Sequence, residues 1–136
     1  MQSVVHRYNT IIKEGHLDTF GHMNNATYLA LLEEARWEMV TERGFGLKKI
    51  MAEKIGPTIL DISIRFLKEL NLRDEITIES EVTSYEKKIC IIEHRILRGT
   101  DICSTATFTL ALFDLNQRKI ILPTEEWLHA IGVSNN

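Results

Sequence analysis

His16–Glu38 reads HLDTFGHMNNATYLALLEEARWE, and its two halves obey different rules. The first ten residues gather His16, Asp18, His22, Asn24 and Asn25, polar side chains suited to a hydrogen-bonded loop. From about Asn25 the spacing becomes helical: Tyr28, Leu32, Ala35 and Met39 recur at intervals of four, three and four. Leu29, Leu31 and Val40 widen the apolar face, so the helix is expected to be covered on more than one side. Glu33, Glu34, Glu38 and Glu42 face elsewhere. Asn24 or Asn25 suits the N-cap, and Gly44 and Gly46 supply a stop.

Outward from this helix the period changes to two. Upstream, VVHRYNTII is rich in β-formers and reads as a first strand. Downstream of GLKKIMAEKIGP, Leu60, Ile62, Ile64 and Phe66 alternate with Asp61, Ser63 and Arg65, which predicts a strand with one buried face. Ile76, Ile78, Ser80 and Val82 repeat the alternation, ICIIEHRIL follows a turn, and ICSTATFTLALF, apolar or small on both faces, reads as a central strand. Short turns join these strands, so the sheet is predicted to be antiparallel. PTEEWLHAIG closes the chain as a short helix capped by Thr124. The pattern predicts a single α+β domain over residues 1–136, with one long helix packed on the sheet. The Thr105, Thr107 and Thr109 row on the outer face suggests an oligomer.

With 136 residues the chain can bury a core without disulfide staples. It is 44% hydrophobic and 26% charged with a formal net charge of −3, so no basic stripe points to nucleic acid. Cys90 and Cys103 have no CxxC or CxxH partner and read as small, reduced core residues. The N-terminus lacks a signal-peptide layout and no apolar run reaches membrane-span length, which together read as cytoplasmic.

A helix N-terminus presents unpaired N–H groups and a partial positive charge. Such donors bind an anion or polarise a carbonyl as charge develops on its oxygen. Asp18, a few residues upstream, is a candidate general base on water or a candidate nucleophile. His22 is a candidate to orient substrate or share a proton. Carboxylate and oxyanion donors together suffice for acyl transfer to water with no metal. The plainer reading also stands: Asp and Asn form turns, and DTFG followed by NN is compatible with a loop and its cap. Tyr28 and Trp37 read as packing residues rather than cofactor contacts.

The stretch resembles the signature of hotdog-fold acyl-CoA thioesterases of the 4-hydroxybenzoyl-CoA thioesterase type, and in particular their bacterial long-chain acyl-CoA branch. His16, Leu17, Asp18, His22, Asn24, Asn25, Tyr28, Leu29 and Leu32 to Trp37 fit the form H-L-D-x-x-x-H-x-N-N-x-x-Y-L continuing into L-E-E-A-R-W. ISIRFLKELNLRDEITIESEV is similar to the family's second and third strands, with Phe66 as the aromatic and Asp74 as the acid; Glu69 stands where a Pro is common. The resemblance implies a five-stranded antiparallel sheet wrapped around the long helix. It implies a homodimer or homotetramer with the active site at the dimer interface, and hydrolysis of acyl-CoA without metal or bound cofactor. It also implies Asp18 as the essential carboxylate, with His22 and Asn25 as further catalytic candidates. Asn24, Ala26 and Tyr28 are implied beside the substrate, with Thr58 and Ile59 as lining candidates. A medium- to long-chain fatty acyl group is the expected substrate.

Three other readings bear on the same residues. His16 and Asp18 with His94 or His129 would mimic a two-His-one-carboxylate metal site. A hotdog hydratase acting on acyl-CoA or acyl carrier protein pairs Asp and His as D-x-N-P-x-H, whereas here Asp18 and His22 are one residue closer and the Pro is missing. A non-catalytic acyl-binding protein would keep the fold without turnover. Arg65, Lys68, Arg73, Lys87 and Lys88 are available to coenzyme A phosphates.

Overall fold

The computed structural model describes residues 1–134, so the last two residues of the expected 1–136 domain lie outside the description. The strands are β1 (Gln2–Ser3), β2 (His6–Ile11), β3 (Ile55–Phe66), β4 (Glu75–Glu86), β5 (Ile89–Arg98), β6 (Asp101–Asp114), β7 (Lys119–Ile121) and β8 (Val133–Ser134). The helices are α1 (Asn25–Glu42), α2 (Leu47–Glu53) and α3 (Glu125–Ala130), with a 3-10 turn at Glu14–His16. The main sheet is antiparallel in the order β2-β4-β5-β6-β3, and β7 extends it on β6 beyond the start of β5. β1 and β8 form a separate two-stranded ribbon. This is the expected hotdog α+β architecture, an antiparallel sheet with the long helix packed against it.

The alternation in β4, β5 and β6 explains the inner face. Ile76, Ile78 and Val82, then Cys90, Ile92 and Ile96, then Ala106, Phe108, Leu110 and Leu112 are buried in register. α1 lies on this face through Tyr28, Leu31, Leu32, Ala35, Met39 and Val40, all buried. Burying an aliphatic side chain of this size contributes about 1.5–3 kcal/mol, so this stripe fixes the position of α1. Gly44, at φ +85°, turns the chain after the helix in a conformation that side-chain-bearing residues rarely adopt. α3, capped by Thr124 as expected, brings Trp127 edge-on to Phe45 with ring centroids 5.2 Å apart.

β3 departs from the sequence reading. It starts at Ile55, and a bulge at Leu60 resets its alternation against β6. Its inner row pairs with Phe108, Ala106 and Ser104, yet Ile62 stays 42% and Phe66 46% exposed. The predicted buried face is therefore open in the single chain, because β3 is an edge of the sheet and α1 does not reach over all of it. Period-two alternation reports which side chains share a face, not whether anything covers that face. α2 was also missed: its seven residues are too few for a periodic signal.

Candidate active site

The polar loop folds around Asp18. Its Oδ1 accepts from the backbone N–H of Phe20 and of His22, each at 2.9 Å. Its own N–H donates to the His22 carbonyl at 2.9 Å, and its carbonyl accepts from Gly21 N–H at 3.0 Å. Gly21 takes the left-handed backbone conformation this tight loop needs, at φ +73°. The hydrogen bond from His22, aided by that from Phe20, holds the Asp18 carboxyl below the usual carboxylate range. Asp18 is exposed and ionised at neutral pH, and both amides grip the same oxygen. Among the described residues no hydrogen bond engages Oδ2.

α1 begins directly after the loop. Asn24 is its N-cap: Oδ1 accepts from Thr27 N–H at 3.0 Å and from Thr27 Oγ1 at 3.1 Å. The cap is thus one of the two asparagines that the sequence offered for it, and its side-chain oxygen is committed to the helix. The N–H groups of Asn25 and Ala26 have no partner among the described residues, so the first turn keeps two donors at its positive end.

His22, Asn25 and Tyr28 line one cleft with Phe66, Leu67 and Lys68, about 380 Å³ in volume. Tyr28 is buried and packs edge-on to Phe66 with centroids 4.9 Å apart, so it serves as both wall and core. The structure thus brings Asp18, His22, Asn25, Ala26 and Tyr28 to one end of α1. It does not bring Thr58 and Ile59 there within one chain. They lie seven and more residues from Phe66, roughly 20 Å along β3, and Ile59 lines a different cavity beside the later turns of α1.

The residues of the metal alternative are not assembled. His16 Nδ1 accepts from Lys13 N–H at 2.8 Å within the 3-10 turn, His94 is buried in β5, and His129 lies in α3. Among the described residues no group of three His, Cys, Asp or Glu side chains is placed to hold a metal ion. Of the basic candidates, Lys68 pairs with Asp101 at 3.1 Å and Arg73 with Glu14 at 2.6 Å. Among the described residues no helix is long and apolar enough to cross a membrane.

Sequence reasoning missed a buried polar cluster beneath the middle of α1. His94 is 1% exposed on the inner face, and Ser80 beside it is 0% exposed. Arg36 Nη1 lies 3.2 Å from His94 Nε2, and His94 Nδ1 lies 2.8 Å from Ser80 Oγ. Arg cannot accept a hydrogen bond, so Nε2 is the acceptor and Nδ1 carries the proton that it donates to Ser80. Burial, reinforced by Arg36 and Arg95, holds His94 neutral, its pKa down to about 3. The Arg36 guanidinium also stacks 4.1 Å over the Phe108 ring. The signal was present: Ser80 and His94 occupy positions of the apolar rows where a buried polar group needs a partner.

The chain is 31% identical over 108 residues to the long-chain acyl-CoA thioesterase FadM of Escherichia coli strain K12, covering 78% of this chain and 81% of that protein. It is 27% identical over 110 residues to the acyl-CoA thioesterase YbgC of Haemophilus influenzae, covering 79% and 81%. The crystal structure of the probable thioesterase YbaW from Escherichia coli superposes with a TM-score of 0.78 at 27% identity, covering 91% of this chain and 94% of that one. The pattern of the thioesterase-like superfamily matches residues 12–131, and the chain, a thioester hydrolase, belongs to that family.

Proposed function

We propose that the protein hydrolyses an acyl-CoA thioester to free acid and coenzyme A, with Asp18 as the reacting carboxylate. One observation carries the reading. Asp18 is held ionised by two backbone amides on Oδ1 while, among the described residues, Oδ2 and two N–H donors of the adjacent helix start have no partner. Sulfur donates poorly into the thioester carbonyl, so two tasks remain. Oxygen must be delivered to the carbonyl carbon, and the oxyanion must be stabilised. Asn25 and Ala26 N–H groups serve the second task at the positive end of α1. Asp18 serves the first, either taking a proton from water or attacking to form a mixed anhydride that water then opens. His22 and Asn25 line the cleft and orient the water or the substrate. The thiolate leaves as coenzyme A.

The expected homodimer is part of the same reading. β3 is a long edge strand with unpaired backbone groups and exposed Ile62, Phe66 and Leu60. Antiparallel pairing of two β3 strands about Ile62 would set Phe66 opposite Thr58 of the partner subunit. That pairing gives Thr58 and Ile59 a way to line the cleft that they lack within one chain. FadM and YbgC, whose names specify acyl-CoA, support the substrate class, and FadM supports a long chain.

The test is thiol release from short, long and aromatic acyl-CoAs and from acyl carrier protein thioesters. Release from one class of acyl-CoA identifies the substrate. Release from carrier-protein thioesters alone replaces the coenzyme A reading, and no release from any of them by folded protein favours a hydratase or acyl-binding role. Ile62→Asp tests the dimer by sedimentation: a monomer that has lost turnover supports the shared site, and an unchanged dimer removes it.

A further inference from the structure

α1 and β3 enclose a second cavity of about 220 Å³, reached past Pro57 and Ile59. Arg36 lies about 16 Å along α1 from the first turn, at 1.5 Å rise per residue. Most of the cavity wall is apolar, supplied by Val40, Leu110, Trp127 and Ile131 with Trp37 beside them. Arg36 and the exposed Glu33 are the charged exceptions. The one hydrogen bond of Arg36 among the described residues goes to the uncharged His94, and it makes no salt bridge there. A guanidinium carries five N–H donors, so Arg36, stacked on Phe108, keeps donors to spare beside the cavity. Burial lowers Arg36 to about 10, which leaves it charged at neutral pH. Glu33, on the same helix, is exposed, with Trp37 Nε1 3.4 Å from its Oε1.

A half-buried cation beside apolar walls gains when an anion joins it. Arg matches a carboxylate in planar, two-point geometry better than any other anion of comparable size. The walls ask in addition for hydrocarbon, which excludes a bare inorganic anion. As to size, a cavity of about 150 Å³ accepts benzene, so this one admits a single ring or a short chain. We propose that this cavity binds a compact apolar carboxylic acid, its carboxylate on Arg36 and its hydrocarbon against Leu110, Trp127 and Ile131. Such an acid is the chemical class that thioester hydrolysis releases. Only that link to the product rests on the hydrolase reading; the binding itself does not.

The chain has two tryptophans, and both line this cavity, so intrinsic fluorescence reports on it directly. The experiment titrates wild-type protein with phenylacetate and hexanoate, and with the matched neutral amides phenylacetamide and hexanamide. Saturable fluorescence change is expected with the acids, at least about tenfold tighter than with the amides, as a charge-assisted contact requires. In Arg36→Met the acid should bind no better than the amide, while Arg36→Lys should keep part of the preference. Equal affinity of acid and amide for wild type overturns the proposal, as does the lack of a saturable change into the millimolar range. The wild-type comparison decides it even where Arg36→Met fails to fold. Acid binding without thiol release from any acyl-CoA or carrier-protein thioester would keep this inference and remove the hydrolase reading. Thiol release without preference for the acid would do the reverse.

Discussion

The Asp18 loop and the Ser80–His94–Arg36 cluster are both polar and both touch α1, one at its start and one beneath its middle. They are built on opposite terms. Asp18 is exposed, keeps its charge and is held by backbone amides, so its side chain positions itself and leaves one oxygen for chemistry. His94 is 1% exposed, loses its charge to burial and is fixed by two side chains from α1 and β4. The first arrangement spends little of the fold's stability on the functional group. The second uses polar groups to register the helix on the sheet, where an unmet hydrogen bond is expensive. Reactivity and stability are thus carried by different polar groups, and substitutions at each should separate them.

The largest separation is expected at Asp18. Asp18→Asn keeps the side chain's shape and its Oδ1 acceptor but removes the reacting carboxylate. Thiol release should fall by about 10²–10⁴-fold, the usual range for a positioned acid or base, with little change in the thermal midpoint. His94→Ala should show the opposite pattern. It removes a buried ring and the acceptor for Arg36, and should lower stability by about 3 kcal/mol in urea unfolding, with turnover per folded molecule close to wild type.

Acid should act through the same residue. The folded pKa of His94, about 3, lies below its unfolded value, so between pH 6.5 and 3 the unfolded chain binds a proton that the folded chain refuses. Stability should therefore decline as pH falls through that window, by up to about 1.4 kcal/mol per pH unit from this group. The decline should be shallower in His94→Ala, read by urea midpoints at several pH values. The activity limb assigned to Asp18 should lie below the ordinary carboxylate range, because hydrogen bonding to His22 N–H lowers its pKa.

The smallest effect belongs to Asn24. Asn24→Ala removes the cap on Thr27 and should lower stability by about 1 kcal/mol. It should also reduce turnover modestly, since the first turn that presents Asn25 and Ala26 N–H groups would fray. Calorimetry and thiol release on the same preparation check both halves.

What the sequence revealed follows from which physical signals are local. α1 was legible because Tyr28, Leu32, Ala35 and Met39 repeat along one helix, and β4 and β5 because their alternation has a single covered face. The polar loop was legible because its residues are neighbours in sequence. The cluster was not: Arg36, Ser80 and His94 come from three elements, and only the register of β4 with β5 makes Ser80 and His94 partners. The open face of β3 was missed for the same reason, since burial depends on what lies across a face. The cap was legible as one of two neighbours, Asn24 or Asn25, and only the contact with Thr27 decides which.

The most direct measurement is thiol release and thermal melting of wild type, Asp18→Asn and His94→Ala side by side. The account predicts a folded, inactive Asp18→Asn and a destabilised His94→Ala that still turns over while folded. Wild-type turnover by Asp18→Asn would contradict it.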